Sequence, residues 1–213
     1  MAMIFRASRI AIRVAPRLTV LRPFASPAAT TVSKLAAQEA QHEKEQYEEP
    51  AIVKQFLKDA PWKFDEKAGE VNLSLTREVA EKTKVVVEWQ LSSPTDMPEE
   101  DEEGGPSVPF TITVTKPSGP SAVFYCSTER GESHRYVIGN VSCYASDEEA
   151  NNQAAYTGPE FEDLDDKLQE SFDEYLAELG LEEKMCDFID ATASDKEQRE
   201  YARWLANLQK FAL

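Results

Sequence analysis

Between residues 62 and 157 apolar and polar side chains alternate one by one, and no other feature of the chain limits its fold as strongly. Val71, Leu73 and Leu75 alternate with Asn72, Ser74 and Thr76. Val85, Val87, Trp89 and Leu91 alternate with Val86, Glu88 and Gln90, and Phe110, Ile112 and Val114 alternate with three threonines. A period of two puts each set on its own face of an extended strand, so these segments read as antiparallel strands with one buried and one solvated face. Residues 122–127 and 135–144 add strands on their aromatic and β-branched content, with 62–66 and 153–156 as weaker candidates. The segment Lys116-Pro117-Ser118-Gly119-Pro120 supplies a turn between two of the strong runs. About seven strands are expected.

Helical spacing flanks the alternating region on both sides. Ile52, Val53, Phe56 and Leu57 share one helical face, with Pro50 opening that helix and Pro61 closing it. Thr157-Gly158-Pro159-Glu160 has capping-box spacing and precedes a stripe of Phe161, Leu164, Leu168, Phe172, Tyr175 and Leu179 that should stop at Gly180. A short amphipathic piece with Leu181, Met185, Phe188 and Ile189 follows. Ser194 and Glu197 then repeat the capping spacing before a last helix with Tyr201, Trp204, Leu205, Leu208 and Phe211. Helix, strands, then two or three helices imply an α+β fold rather than a parallel βαβ sheet.

Charge separates the chain into two populations. Of 213 residues, 39 are acidic and 23 basic, giving a formal charge of −16. Residues 1–33 hold Arg6, Arg9, Arg13, Arg17 and Arg22 with no acid among Ser, Thr and Ala, the composition of a mitochondrial transit peptide. Cleavage is expected near 24/25, in Arg22-Pro23-Phe24-Ala25. Without those five arginines, 18 basic residues face 39 acids, so residues 34–213 form a single domain of about −21 by formal counting. That balance argues against unaided binding to duplex nucleic acid and favours basic partners. No apolar run is long enough for a membrane span, and three Trp, seven Tyr and ten Phe are too many large apolar side chains for a disordered chain.

The densest charge lies in residues 96–106, where Asp96, Glu99, Glu100, Asp101, Glu102 and Glu103 put six acids in eight positions between two strands. Such a run repels itself and should form an extended loop that either docks basic partners, weakly collects cations, or only keeps the chain soluble. EF-hand ligand spacing is missing from it. A second cluster, Glu160, Glu162, Asp163, Asp165 and Asp166, is explained as acids at the positive end of a helix. No catalytic residue, cofactor or metal ligand is expected. The chain has no Gly-rich phosphate loop, no nucleophile elbow and no C-x-x-C, and its only histidines, His42 and His134, sit far apart. Cys126 and Cys143 read as small core side chains.

The chain resembles the mitochondrial acidic matrix protein family, also called the mitochondrial glycoprotein family. The likeness covers about residues 50–213. It rests on Leu75-Thr76-Arg77-Glu78-Val79-Ala80 leading into Val85-Val86-Val87-Glu88-Trp89, on the acidic insertion, and on the last third. There Leu164-Asp165-Asp166-Lys167-Leu168-Gln169, Phe172, Tyr175-Leu176, Gly180, Glu200-Tyr201, Trp204-Leu205, Leu208 and Phe211 stand in the family's order. The resemblance implies a long N-terminal helix, a strongly twisted antiparallel sheet, two C-terminal helices and a doughnut-shaped homotrimer. It further implies a non-enzymatic, chaperone-like scaffold of the mitochondrial matrix. Such a scaffold binds basic ribosomal or RNA-binding proteins and supports mitochondrial ribosome assembly, translation and oxidative phosphorylation. An accessory role in RNA processing, with RNA touched indirectly, and a low-affinity calcium buffer are the alternatives. Within such a trimer Ile52, Val53, Phe56 and Leu57 would pair with Trp204, Leu205, Leu208 and Phe211, although packing of each set on its own sheet fits the same pattern.

Overall fold

Alternation becomes one antiparallel meander in the computed structural model, which describes residues 26–59, 61–91, 107–129 and 135–212. The expected cleavage position and the whole acidic run 96–106 lie outside the described residues. Strands β1 (Lys63–Glu66), β2 (Asn72–Val79), β3 (Thr83–Gln90), β4 (Pro109–Thr115), β5 (Ser121–Thr128) and β6 (Tyr136–Tyr144) pair in chain order. Because the side-chain period is two, register places like residues in rows across the sheet. One row runs Leu75, Val87, Ile112, Phe124 and Val141, and the next runs Leu73, Trp89, Phe110, Cys126 and Ile138. Every member of both rows is buried. Burying side chains of this size contributes about 1.5–3 kcal/mol each, so the two rows hold much of the core's stabilisation.

Helices α1 (Pro27–Gln46), α2 (Ala51–Asp59), α3 (Asp147–Ala150), α4 (Asp166–Glu178) and α5 (Glu183–Phe211) complete the fold. Ser26 caps α1, its hydroxyl accepting from the Ala29 N–H at 3.1 Å, and Pro27 occupies the first turn where its missing N–H costs nothing. The N-terminal helical region is in two pieces because Pro50 biases the residue before it away from the helical region. Phe188 of α5 joins the layers, with ring centroids 4.5 Å from Phe56, 5.3 Å from Phe64 and 6.0 Å from Trp89. Phe172 seats α4, 5.5 Å from Phe124 and 6.2 Å from Phe161. Gly180 ends α4 as expected. Its φ is +89°, its N–H bonds to the Ala177 carbonyl at 2.9 Å and that of Leu181 to Leu176 at 3.0 Å, the paired bonds of a Schellman stop.

Four local expectations give way to tertiary context. Ser194 and Glu197 do not open a helix, because α5 runs unbroken for 29 residues. Its buried face of Met185, Phe188, Ile189, Thr192, Ala193 and Lys196 passes straight through that position, and packing outweighs a local cap. Thr157-Gly158-Pro159-Glu160 is a docking loop rather than a cap. The Thr157 carbonyl accepts from Asn140 Nδ2 at 2.7 Å and from Ser142 Oγ at 2.6 Å. Gly158 at φ +87° passes so close to β6 that a Cβ would lie 2.0 Å from the Val141 carbonyl oxygen. A 3-10 turn at Phe161–Asp163 follows, and α4 starts later with Asp165 as its cap, accepting from the Lys167 N–H. Residues 153–156 form turn and irregular backbone, and the pairing there is an isolated bridge between Glu160 and Asn140. Cys143 is exposed, whereas Cys126 and Cys186 are buried.

Candidate functional site

Two groups of described acids differ in whether a base answers them. The first group clamps α5 to the sheet. Lys196, with no exposed surface, donates from Nζ to the Lys67 carbonyl at 2.6 Å and to Glu200 Oε1 at 2.9 Å, and lies 3.7 Å from Glu66 Oε2. Both oxygens of the same Glu66 accept from Arg199 Nη2, at 2.7 and 3.0 Å. Arg199 Nε donates to Asp195 at 2.7 Å, and Asp195 accepts from the Tyr47 hydroxyl at 2.9 Å. Burial alone would lower the Arg199 pKa, yet hydrogen bonds to Glu66 and Asp195 raise it overall. Burial pushes Glu200 up, but the Gly69 N–H and the Lys196 ammonium pull its carboxyl below the usual range. Nearer the start of α5, Arg135 donates to Asp187 at 2.7 Å and Asp190 at 3.1 Å, and Thr128 donates to Asp190 at 2.6 Å.

The second group has almost no bases near it in sequence. Residues 147–183 contain fourteen Asp or Glu and a single Lys167. Thirteen of those acids are exposed, Asp173 being half-buried, and none forms an ion pair with a described residue. Asp165 and Asp166 stand at the start of α4, Glu182 and Glu183 at the start of α5, and Asp147, Glu148 and Glu149 in the short α3, so helix N-termini account for half of them. The rest, Glu160, Glu162, Asp163, Glu170, Asp173, Glu174 and Glu178, lie on the docking loop, the turn that follows it and α4. An excess of exposed acids without ion pairs attracts cationic groups. Sequence reasoning missed it by explaining each acid locally, although the ratio of fourteen to one over 37 residues was a readable signal.

The residues expected to form a helix pair are placed as follows. Ile52, Val53, Phe56 and Leu57 are half-buried on α2 and face the first half of α5, with Phe56 on Phe188 and with Ile52 and Phe56 beside Met185. Leu205 is buried and Leu208 half-buried, whereas Trp204 and Phe211 are 56% and 88% exposed. It is α1 that runs antiparallel to the second half of α5, through Ser33 to the Gln209 carbonyl at 3.3 Å and Gln198 to Glu43 at 3.5 Å. Within the chain, the two expected sets therefore sit at different levels of α5.

Reactive groups are few among the described residues. Burial pushes both the Cys126 and Cys186 thiols up to about 12, so neither is a thiolate near neutrality. No cluster of three metal-ligating side chains occurs among the described residues, and no described helix is long and apolar enough to cross a membrane.

Comparison with known proteins agrees with this architecture. The profile of a family described as Mitochondrial glycoprotein matches residues 36–212. An uncharacterized mitochondrial protein of Arabidopsis thaliana is 33% identical over 157 residues, covering 71% of this chain and 62% of its own length. The mitochondrial acidic protein mam33 of Schizosaccharomyces pombe is 31% identical over 116 residues, 52% of this chain and 43% of its own. The chain thus spans less than two thirds of these curated relatives. Among solved structures, the Trypanosoma brucei p22 protein superposes with a TM-score of 0.70 at 24% identity, covering 88% of this chain and 100% of its own. A Leishmania major protein described as a sequence homologue of human p32 does so with a TM-score of 0.70 at 23% identity, over 87% and 99%. At such identities these two likenesses establish the shared fold.

Proposed function

The chain belongs to the Mitochondrial glycoprotein family, and from that premise we propose that it is a non-enzymatic acidic scaffold of the mitochondrial matrix that docks basic proteins. Its family and relatives carry mitochondrial names. The observation that carries the reading is the segment 147–183, where fourteen acids, thirteen of them exposed, meet one lysine and form no ion pair with a described residue. Asp96, Glu99, Glu100, Asp101, Glu102 and Glu103 extend the same chemistry and are assigned to the docking surface on charge alone.

The mechanism is electrostatic. Lys- and Arg-rich clients, of the kind found among ribosomal and RNA-binding proteins, are drawn to the face and shielded until RNA displaces it, a chaperone-like service to ribosome assembly and so to translation and oxidative phosphorylation. The chain works as a homotrimer, with about −63 of formal charge concentrating the field. Val32, Leu35, Trp204 and Phe211, exposed apolar side chains on α1 and the end of α5, support burial against a second copy. RNA contact is indirect, through the bound protein. Affinity purification from mitochondria at low and high salt tests this reading. Because the Debye length falls from about 10 Å at 0.1 M to about 3 Å at 1 M salt, basic clients should be lost at the higher concentration. Undiminished recovery at 1 M would overturn it, as would clients lost on nuclease treatment at low salt.

A further inference from the structure

Strand β2 breaks its own alternation at Arg77. Leu73 and Leu75 face the core, and a period of two carries Arg77 onto that same face, opposite Val85. An arginine at such a position normally meets a carboxylate, yet Arg77 has no ion pair among the described residues and its buried Nε has no acceptor. Its guanidinium lies over the Trp62 ring, 5.2 Å from the centroid, and that contact leaves the Nε hydrogen unmatched. Gly180 makes room for it, since a Cβ there would stand 2.6 Å from Nη1.

The arginine borders a cavity of about 310 Å³. Ile52, Phe56, Trp62 and Met185 supply apolar walls, and Lys184 adds a second cation. Glu182, also on the rim, is exposed and forms no ion pair with Arg77. The cavity opens at the start of α5, where Glu182 stands in the capping position without a side-chain hydrogen bond, so the positive end of a 29-residue helix adds to the field. Apolar walls around a few convergent polar groups describe a small-molecule site, and a planar two-pronged donor suits a carboxylate.

We propose that this cavity binds a small organic monocarboxylate with an aromatic or branched aliphatic body. The carboxylate meets the Nη1–Nη2 end of the Arg77 guanidinium, within the field of Lys184 and the α5 terminus, and the body lies on Phe56 and Met185. The site is separate from the acidic face, so it stands or falls independently of client docking.

Calorimetric titration of the full chain with phenylacetate, neutral phenylacetamide and inorganic phosphate tests the proposal, read together with the Arg77 Nε–Hε resonance by NMR. Phenylacetate should saturate one site per chain at least about tenfold more tightly than phenylacetamide, shifting the Arg77 resonance, and phosphate at equal concentration should not displace it. Arg77→Met should abolish binding. Should that variant fold poorly, Lys184→Glu, at an exposed position, should weaken binding about threefold or more. No saturable binding up to about 10 mM would overturn the assignment. So would equal affinity for the amide, displacement by phosphate, or an unmoved Arg77 resonance at saturation.

Discussion

The clamp on α5 and the face at 147–183 are built from the same side chains and do opposite work. In the clamp, Glu66, Asp195 and Glu200 each face a lysine or arginine within 2.9 Å, one of them fully buried. On the face, Glu170, Glu174 and Glu178 follow at intervals of four on α4, and none forms an ion pair with a described residue. Paired acids fix where α5 lies, and loss of either partner strands the other. Asp165 caps α4 and Glu149 accepts from the Ala145 N–H, but Glu170, Glu174 and Glu178 slightly repel one another along α4, so any value these three have lies in binding. Acidity as a bulk property hides this division.

Lys196→Ala should be the most damaging change to the clamp, costing about 3 kcal/mol in chemical denaturation. A fully buried pair would lose more, but Glu66 and Glu200 keep 26% and 18% of their surface in water. Acidification should follow in size. The Glu200 carboxyl is held below its ordinary value in the fold, so its contribution is complete above the unfolded value and disappears as pH falls through the lowered one. Wild type should therefore lose more stability than Glu200→Gln between neutral and acid pH, and parallel profiles would remove Glu200 from the clamp. Arg199→Lys keeps the charge and loses the planar bridge from Nη2 on Glu66 to Nε on Asp195, for about 1 kcal/mol. Smallest of all, Glu170, Glu174 and Glu178 changed together to Gln should leave the melting temperature unchanged or raise it slightly, since like charges four apart cost a few tenths of a kcal/mol each.

How far these differences could be read in advance depended on whether the deciding interaction was periodic. The strands were legible because rows such as Leu75, Val87, Ile112 and Phe124 impose a period of two over each segment. The Gly180 stop was legible because it is a local backbone requirement. Continuity of α5 was not, since Ser194 and Glu197 carry a true local signal that the buried face through Thr192 and Lys196 overrules. Nor was the clamp, whose partners Glu66 and Arg199 stand far apart in the chain and meet only after the sheet forms. Cys143 shows the same limit, because apolar neighbours on both sides did not decide which way the thiol points. Alternation did place Arg77 on the core face, but only the folded arrangement shows that no acid answers it there.

The central claim is that Glu170, Glu174 and Glu178 on α4 serve binding and not stability. The most direct measurement takes the triple Glu170→Gln, Glu174→Gln, Glu178→Gln chain and records thermal unfolding and affinity for a defined Lys/Arg-rich peptide in one preparation. A melting temperature at or slightly above wild type, with affinity several-fold weaker and a shallower salt dependence, is the predicted result. Unchanged affinity, or affinity lost only in step with stability, would contradict it.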